Sequence, residues 1–383
     1  MEKINVGAPL MAPCEDQTRR DKSRPLPVVN KSMLTLGIET SCDETSCAVL
    51  KNGGPILSNV VSSSLARHRP FGGVVPEIAS RHCLEQMNLV FEAALREAKV
   101  SKGKINLIAV TRGPGLVGSL LVGLSFAKAL AYQLKVPFIG VNHLEAHLAA
   151  NFISNPLPEA GFVGLIVSGG HTEITYHRNG TVKILGSTVD DAVGEAYDKT
   201  AKILGLGYPG GPAMDRLAQK GNPKAFHFTK PKQDGRFDFS FSGIKTAITV
   251  IARQHSEQGR SNLNTGLLRR PDGPPRNDGW ISDLCASFQE TVAHWLVEKT
   301  IDACRLKKVK NVMVGGGVSA NSRLRSLLAE EAKPYGIRAV FPPLSLTIDN
   351  GAMIARRGYE LYRRGQRSDF KISARPNLRI GEK

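Results

Sequence analysis

The chain has 383 residues, of which 41% are hydrophobic and 22% charged, and its formal net charge is +17. The length suffices for about two domains with cores of their own, and the composition excludes a disordered or fibrous protein. The positive charge is unusual for an enzyme of small neutral metabolites and indicates a polyanionic partner, with nucleic acid as the leading candidate.

Neither a membrane span nor secretion is expected. The longest apolar stretch, Leu120 to Leu134, carries Lys128 and is shorter than the ~20 residues of a membrane helix. Six cysteines without a C-x-x-C pair predict a reducing compartment. Residues 1–32 are Pro-rich and of mixed charge, so we predict a disordered leader, with a start at Met33 as the alternative.

In chain order, the first predicted unit is a β-hairpin with a polar turn, and a second copy follows later. The first pairs Leu34–Ile38 with Cys47–Leu50, and the second pairs Phe162–Val167 with Glu173–His177. Strands and helices alternate after each hairpin, which indicates an α/β fold. The helices predicted after the hairpins are at 76–98, 118–133, 192–204, 243–253 and 281–304, and one more follows the turn at 315–321 and ends at 333. The further predicted strands are at 105–111, 137–141 and 311–314.

Two hairpin-led halves predict a duplicated lobe. We divide the chain into the leader, an N-terminal lobe at 33–150 and a C-terminal lobe at 151–383 with an inserted loop at 256–278. Arginines gather in two places that could follow nucleic-acid phosphates. These are Arg253, Arg260, Arg269, Arg270 and Arg276, and Arg356, Arg357, Arg363, Arg364, Arg367 and Arg375.

His143 and His147 are the most informative pair of residues. On a helix, positions i and i+4 share a face, so both imidazoles can reach one ion. A zinc peptidase would need Glu directly after the first histidine, where this chain has Leu144. Asp349, in a polar break before a helix, is the best third ligand, and an N-cap role is its alternative. Two imidazoles and a carboxylate suit iron(II) or zinc, although the pair could also be two ordinary helix histidines.

Glycine turns supply candidate anion sites. The turns at Ser168–Thr172 and Gly315–Gly317 could bind a phosphate or adenylate, or could simply be tight turns between elements. Arg112–Gly118 fits the Rossmann pattern only weakly, because Pro114 removes an amide. In the first hairpin turn, Asp43 and Glu44 form an acidic pair that could orient a substrate amine or remain a solvated turn.

The motifs together resemble the bacterial and organellar branch of one family, the tRNA N6-adenosine threonylcarbamoyltransferases. The segments that carry the resemblance, in order, are Gly37–Thr45, Gly72–Glu77, Asn142–His147, Val167–Thr172, Gly194–Lys199, Tyr208–Gly211, Gly315–Asn321 and Asp349–Gly351. The resemblance implies an actin-like ATPase fold, in which two duplicated lobes surround a central cleft. It also implies a cytoplasmic location, with the mitochondrial matrix as the alternative.

The resemblance implies roles for individual residues. His143, His147 and Asp349 would bind one divalent metal ion, with iron(II) preferred over zinc, and Asp43 or Glu44 would accept the amine proton. The remaining residues implied to bind threonylcarbamoyl-AMP are Ile166, Val167, Ser168, Gly169, Gly170, Asp198, Gly211, Asp215 and Asn321.

The implied reaction moves the threonylcarbamoyl group from threonylcarbamoyl-AMP to N6 of adenosine 37 in tRNAs that read codons beginning with A, and it releases AMP. The implied partners are tRNA, a paralogous protein of the same fold and a small P-loop ATPase, without a membrane. Two alternatives remain open: a small-metabolite kinase on the same fold, and a noncatalytic assembly subunit, although the histidine pair is unexpected in both.

Overall fold

The structure is a computed structural model that describes residues 32–231, 235–258 and 279–382. The predicted leader, apart from residue 32, and residues 259–278 of the predicted inserted loop lie outside the described residues. Four arginines of the first predicted cluster also lie outside them: Arg260, Arg269, Arg270 and Arg276.

The described chain contains two five-stranded sheets of the same topology. The first comprises β1 (Leu34–Glu39), β2 (Glu44–Lys51), β3 (Ile56–Ser63), β4 (Leu107–Gly113) and β5 (Phe138–Asn142). The second comprises β6 (Phe162–Val167), β7 (Thr172–Arg178), β8 (Thr181–Ser187), β9 (Asn311–Gly315) and β10 (Arg338–Val340).

Each sheet combines an antiparallel hairpin meander with parallel strands. The strand order is β3-β2-β1-β4-β5 in the first sheet and β8-β7-β6-β9-β10 in the second. In both, the first three strands in chain order are antiparallel and the last two add in parallel. This repetition confirms the duplicated lobe and the α/β, actin-like class of fold. The proposed division of the chain at residue 150 stays a prediction.

Ten helices connect or cover the strands in the described part of the chain. They are α1 (Leu65–His68), α2 (Pro76–Ala98), α3 (Val117–Leu134), α4 (His143–Ala149), α5 (Val193–Ile203), α6 (Gly210–Ala218), α7 (Ser242–Gln258), α8 (Trp280–Lys307), α9 (Ser322–Ala332) and α10 (Gly351–Arg363).

Helix α2 shows how local sequence sets these elements. Pro76 occupies the first helical position, where its missing N–H breaks no helical hydrogen bond. The negative charge of Glu77 in the first turn is stabilised by the positive end of the helix dipole. Met87, Val90 and Phe91 follow at helical spacing and are buried in the core of the first lobe. This agreement of cap and periodicity explains why the predicted bounds match the observed ones.

Helix α3 is, among the residues described, the one helix whose length and composition would suit a membrane span. It packs against α2 and β4, and Leu124, Ala127 and Leu130 are buried in the first-lobe core. Lys128 donates a hydrogen bond to the Ile372 carbonyl. This is the packing of a core helix, so its apolar length is weak evidence for a membrane.

The C-terminal segment returns to the first sheet. Helix α10 packs against β1, β2 and β4. The approach is very close, and a Cβ added to Gly37 would lie only 2.0 Å from the Gly351 carbonyl oxygen. Beyond α10, the chain passes alongside the end of β5 and helix α4. Asn142 donates to the Arg379 carbonyl, and the Gly381 amide donates to Glu145.

We predict that Gly37→Ala lowers the free energy of unfolding by roughly 1–3 kcal/mol or more. The added methyl would meet the Gly351 oxygen and the Ala355 amide nitrogen, which are backbone atoms and cannot rotate away. Urea denaturation measures the effect. Gly103→Ala is the control, since nothing lies within 4 Å of its Cβ; equal stability of the two variants would contradict the close approach.

Candidate metal centre and cleft

Three side chains with metal-binding atoms converge where the lobes meet. Helix α4 begins at His143 directly after β5, and its N-cap Asn142 accepts hydrogen bonds from two amides of the first turn. One turn later, His147 lies on the same face, and the two Nε2 atoms are 3.1 Å apart. Oδ1 of Asp349 lies 3.5 Å from Nε2 of His143 and 3.0 Å from Nε2 of His147.

The donor set fits a divalent transition metal. Two imidazole nitrogens and one carboxylate oxygen face a common point, the composition that suits iron(II) or zinc with positions left open. The N-cap interpretation of Asp349 is wrong. Asn350 caps α10 by accepting from the Met353 amide, so the Asp349 carboxylate is left to the histidines.

Glu39 orients the first histidine. It is fully buried at the end of β1, and its Oε2 lies 3.0 Å from Nδ1 of His143. Its carboxylate also accepts hydrogen bonds from the Thr111 hydroxyl and the Ser41 amide. A carboxylate on Nδ1 fixes the ring with Nε2 toward His147 and Asp349, which is the usual support of a metal-binding histidine.

Charges in the cluster shift the pKa values of its members. Burial alone would lower the pKa of His143, but Asp349 and Glu39 outweigh it and raise that pKa to about 9. Burial would raise the pKa of Asp349, and His143 and His147 instead lower it to about 2. Burial and the two neighbouring histidines lower the pKa of His171 to about 4, so its ring is neutral at physiological pH.

Asp43 and Glu44 lie where β1 turns into β2. Burial, followed by the charges of Asp43 and Asp349, raises the pKa of Glu44 well above its ordinary range. Ser63 donates a hydrogen bond of 3.1 Å to Oε1 of Glu44, which limits the shift. A carboxylate with a raised pKa is a stronger base than an ordinary carboxylate, so the ionised form of Glu44 is suited to accept a proton.

The turn from Ser168 to Gly170 borders open space. A Cβ at Gly169 or Gly170 would meet nothing within 4 Å, so a ligand can approach their backbone. Ile166 and Val167 are fully buried in β6, so their predicted contact with a ligand stays a prediction. The turn also abuts α5, whose Gly194 amide donates to the Ser168 carbonyl.

The other predicted ligand-binding residues lie on α5, α6 and before α9. Asp198 accepts a 2.7 Å hydrogen bond from the Gly210 amide, and the neighbouring Gly211 borders open space. Asn321 Nδ2 lies 3.5 Å from Oδ1 of Asp215 and 3.4 Å from the hydroxyl of Tyr197, the neighbour of Asp198. The structure therefore brings these four predicted residues into two adjoining pairs; their role in binding stays a prediction.

The Rossmann interpretation of Arg112–Gly118 is wrong. A Cβ on Gly115 would lie 2.4 Å from the Ser41 carbonyl oxygen, and the Gly115 amide donates to Pro376. The next amide, of Leu116, donates to Ser41. This turn is filled by the chain itself and offers no phosphate cradle.

The second arginine cluster is partly structural. Arg357 is largely buried and pairs with Glu145 and Glu360, and Arg364 pairs with Glu360. The prediction that this whole cluster follows phosphates is therefore wrong for Arg357, whereas Arg363 is exposed and remains a candidate.

Sequence reasoning missed two residues of the cleft, Glu39 and His171. Both stand in the quoted motifs, Glu39 as the last residue of β1 and His171 as the histidine of the glycine turn. A polar residue at the end of a buried strand was the available signal for Glu39. Its contact with His143 spans more than a hundred residues of sequence and cannot be read from spacing.

The chain is similar to known proteins of one family. The family model for tRNA N6-adenosine threonylcarbamoyltransferase matches residues 55–356. Two relatives with that name, from Dictyoglomus turgidum and Symbiobacterium thermophilum, are each 48% identical to this chain. The first alignment covers 92% of this chain and 100% of the relative, and the second covers 91% and 97%.

Among solved structures, HypF from T. kodakarensis is similar at a TM-score of 0.53 and 16% identity, over 87% of this chain and 48% of that one. This likeness concerns the fold alone. The family model and the relatives define the class, and the chain is a transferase. It belongs to the tRNA N6-adenosine threonylcarbamoyltransferase family.

We predict that the purified protein retains about one divalent ion per chain after dialysis and that Asp349→Asn retains almost none, because one of three ligands is lost. Metal analysis measures this, and added Fe²⁺ or Zn²⁺ should raise the Tm of the wild type only. Asp369→Asn, at an exposed position, is the control. Equal ion content in both variants would remove Asp349 from the site.

Proposed function

We propose that this chain transfers the threonylcarbamoyl group from threonylcarbamoyl-AMP to N6 of adenosine 37 in tRNAs that read codons beginning with A. The observation that carries the proposal is the convergence of His143, His147 and Asp349 beside an acidic turn and an open glycine turn. Family membership supports it over a metabolite kinase or a noncatalytic subunit.

In the proposed reaction, the N6 lone pair bonds to the carbamoyl carbon, and the bond from that carbon to the phosphate oxygen breaks. The electron pair leaves with AMP, and the N6 proton passes to Glu44. The open backbone at Gly169, Gly170 and Gly211 would hold the adenylate, with Asp198, Asp215 and Asn321 beside it. Catalysis then rests mainly on positioning and on stabilising charge.

A divalent ion, with iron(II) preferred over zinc, would act as a Lewis acid toward an oxygen of the donor when bound by His143, His147 and Asp349. Glu39 would hold the His143 ring in the orientation that lets Nε2 bind that ion. His171, whose lowered pKa leaves its ring neutral, would offer a hydrogen bond to the substrate without adding charge.

The proposed partners are tRNA as substrate, a paralogous protein of similar fold and a small P-loop ATPase. The net charge of +17 supports the polyanionic substrate. Adenosine in an anticodon loop is unpaired, so its base can be splayed into a cleft at low cost. The cytoplasmic location, with the mitochondrial matrix as alternative, stays a prediction.

We predict that the protein, together with its proposed paralogous partner and small P-loop ATPase, forms the modified nucleoside when incubated with threonine, bicarbonate, ATP, an adenylate-forming enzyme and unmodified tRNA. His143→Ala should abolish this product while its circular dichroism spectrum stays native, because one metal ligand is lost. Nucleoside analysis of digested tRNA is the measurement, and His227→Ala, at an exposed position, is the control. Full activity of His143→Ala would reject the assigned centre.

We predict that the wild-type rate falls as pH drops through the raised pKa of Glu44, because the protonated carboxyl cannot accept the amine proton. Glu44→Gln should lose roughly 10²–10⁴-fold in kcat and should lose this acid limb. Single-turnover rates across pH measure it, with Glu77→Gln as an exposed control. An acid limb that persists in Glu44→Gln would assign the base elsewhere.

A further inference from the structure

An exposed loop borders the cleft on the side of the first lobe. Residues 64–75, here called the rim loop, connect β3 to α2 and contain α1 and the 3₁₀ turn Arg69–Phe71. Phe71 at its tip is 60% exposed, and the guanidinium side chains of Arg67 and Arg69 are also exposed. A large aromatic residue on such a tip gains nothing from core packing.

The rim loop is held in one conformation by a buried histidine. The Val75 amide donates to Nδ1 of His68, which assigns the ring proton to Nε2. Nε2 then donates to the Ser64 hydroxyl at 2.9 Å, and that hydroxyl donates to the Asp43 carbonyl. His68 is fully buried, so the relay ties both ends of the rim loop together and fixes its root to the acidic turn.

The tip of the rim loop reaches the other lobe. A Cβ on Gly72 would lie 3.4 Å from Nζ of Lys202, on α5 of the second lobe. The rim loop therefore extends from the acidic turn at Asp43 to α5 of the second lobe. Arg67 pairs with Glu85, whereas Arg69 and Lys202 have no ion pair among the described residues. Two unpaired cations thus flank one exposed aromatic ring.

We propose that the rim loop is an RNA-contact surface, on which Phe71 stacks with an unpaired base next to the target adenosine while Arg69 and Lys202 contact the phosphates. This inference rests on the proposed function, which brings an anticodon loop to the cleft. Single-stranded RNA is recognised by aromatic platforms with adjacent cations, because every base offers a π-face and every nucleotide a charge. The His68 relay pre-forms this platform, so little ordering is required on binding.

The experiment uses the full chain and an unmodified anticodon stem-loop RNA with 2-aminopurine next to the target adenosine. Stacking on Phe71 should quench the fluorescence. Phe71→Ala should abolish the quenching and weaken binding by roughly 10- to 100-fold. Phe71→Trp should retain both. Phe71→Leu should behave as Phe71→Ala, because a leucine has no π-face.

A control and a second test accompany the Phe71 variants. Tyr132→Ala removes another exposed aromatic, at the far end of α3, and should bind as the wild type does. Arg69→Gln should reduce the slope of log K against log salt by about one phosphate contact, roughly 0.7–1. All variants alter exposed side chains, so unchanged Tm values are expected.

The outcomes also separate this inference from the proposed function. Unchanged RNA binding and quenching in Phe71→Ala, or wild-type behaviour of Phe71→Leu, overturns the stacking surface and leaves an apolar protein contact as the role of Phe71. Failure of the wild type to modify tRNA refutes the proposed function, and the binding measurement still decides the rim loop because it needs no turnover.

Discussion

Two imidazoles and a carboxylate remain in mutual contact, shielded from water, only where the surrounding backbone fixes all three. Here α4 fixes the histidines because it starts at the end of β5. Helix α10 fixes Asp349 because Asn350, the next residue, is the N-cap of that helix. The close contact of Gly37 with Gly351 locks α10 onto β1, and Glu39 on the same strand holds His143. One strand of the first sheet therefore supports the whole cluster.

The duplication explains how the cleft obtains two chemically different walls. The turns after β1 and β6 occupy equivalent positions in the two sheets. The first carries the carboxylates of Asp43 and Glu44, and the second carries the bare backbone of Gly169 and Gly170. Carboxylates on one wall and an anion-tolerant surface on the other are what the proposed acyl transfer from an adenylate would require.

The sequence predicted the elements whose own residues dictate them. Helix α2 was predicted to the residue, an agreement that its proline, acidic first turn and apolar period explain, and both hairpins were recognised. Strands β3 and β8, which are only partly buried, and α6, which starts Gly210-Gly-Pro, were missed because their local signals are weak or contrary. The histidine pair followed from helical spacing, whereas the Glu39 contact depends on distant packing.

The return of α10 to the first sheet has a consequence for biosynthesis. Strands β1, β2 and β4 leave the ribosome early, but the helix that covers one of their faces is translated near the end. Until then, that face exposes Leu50, Leu107 and Ala109, and the two histidines lack Asp349. The nascent first lobe is thus an aggregation-prone intermediate whose maturation awaits the last helix, a window in which chaperones would act.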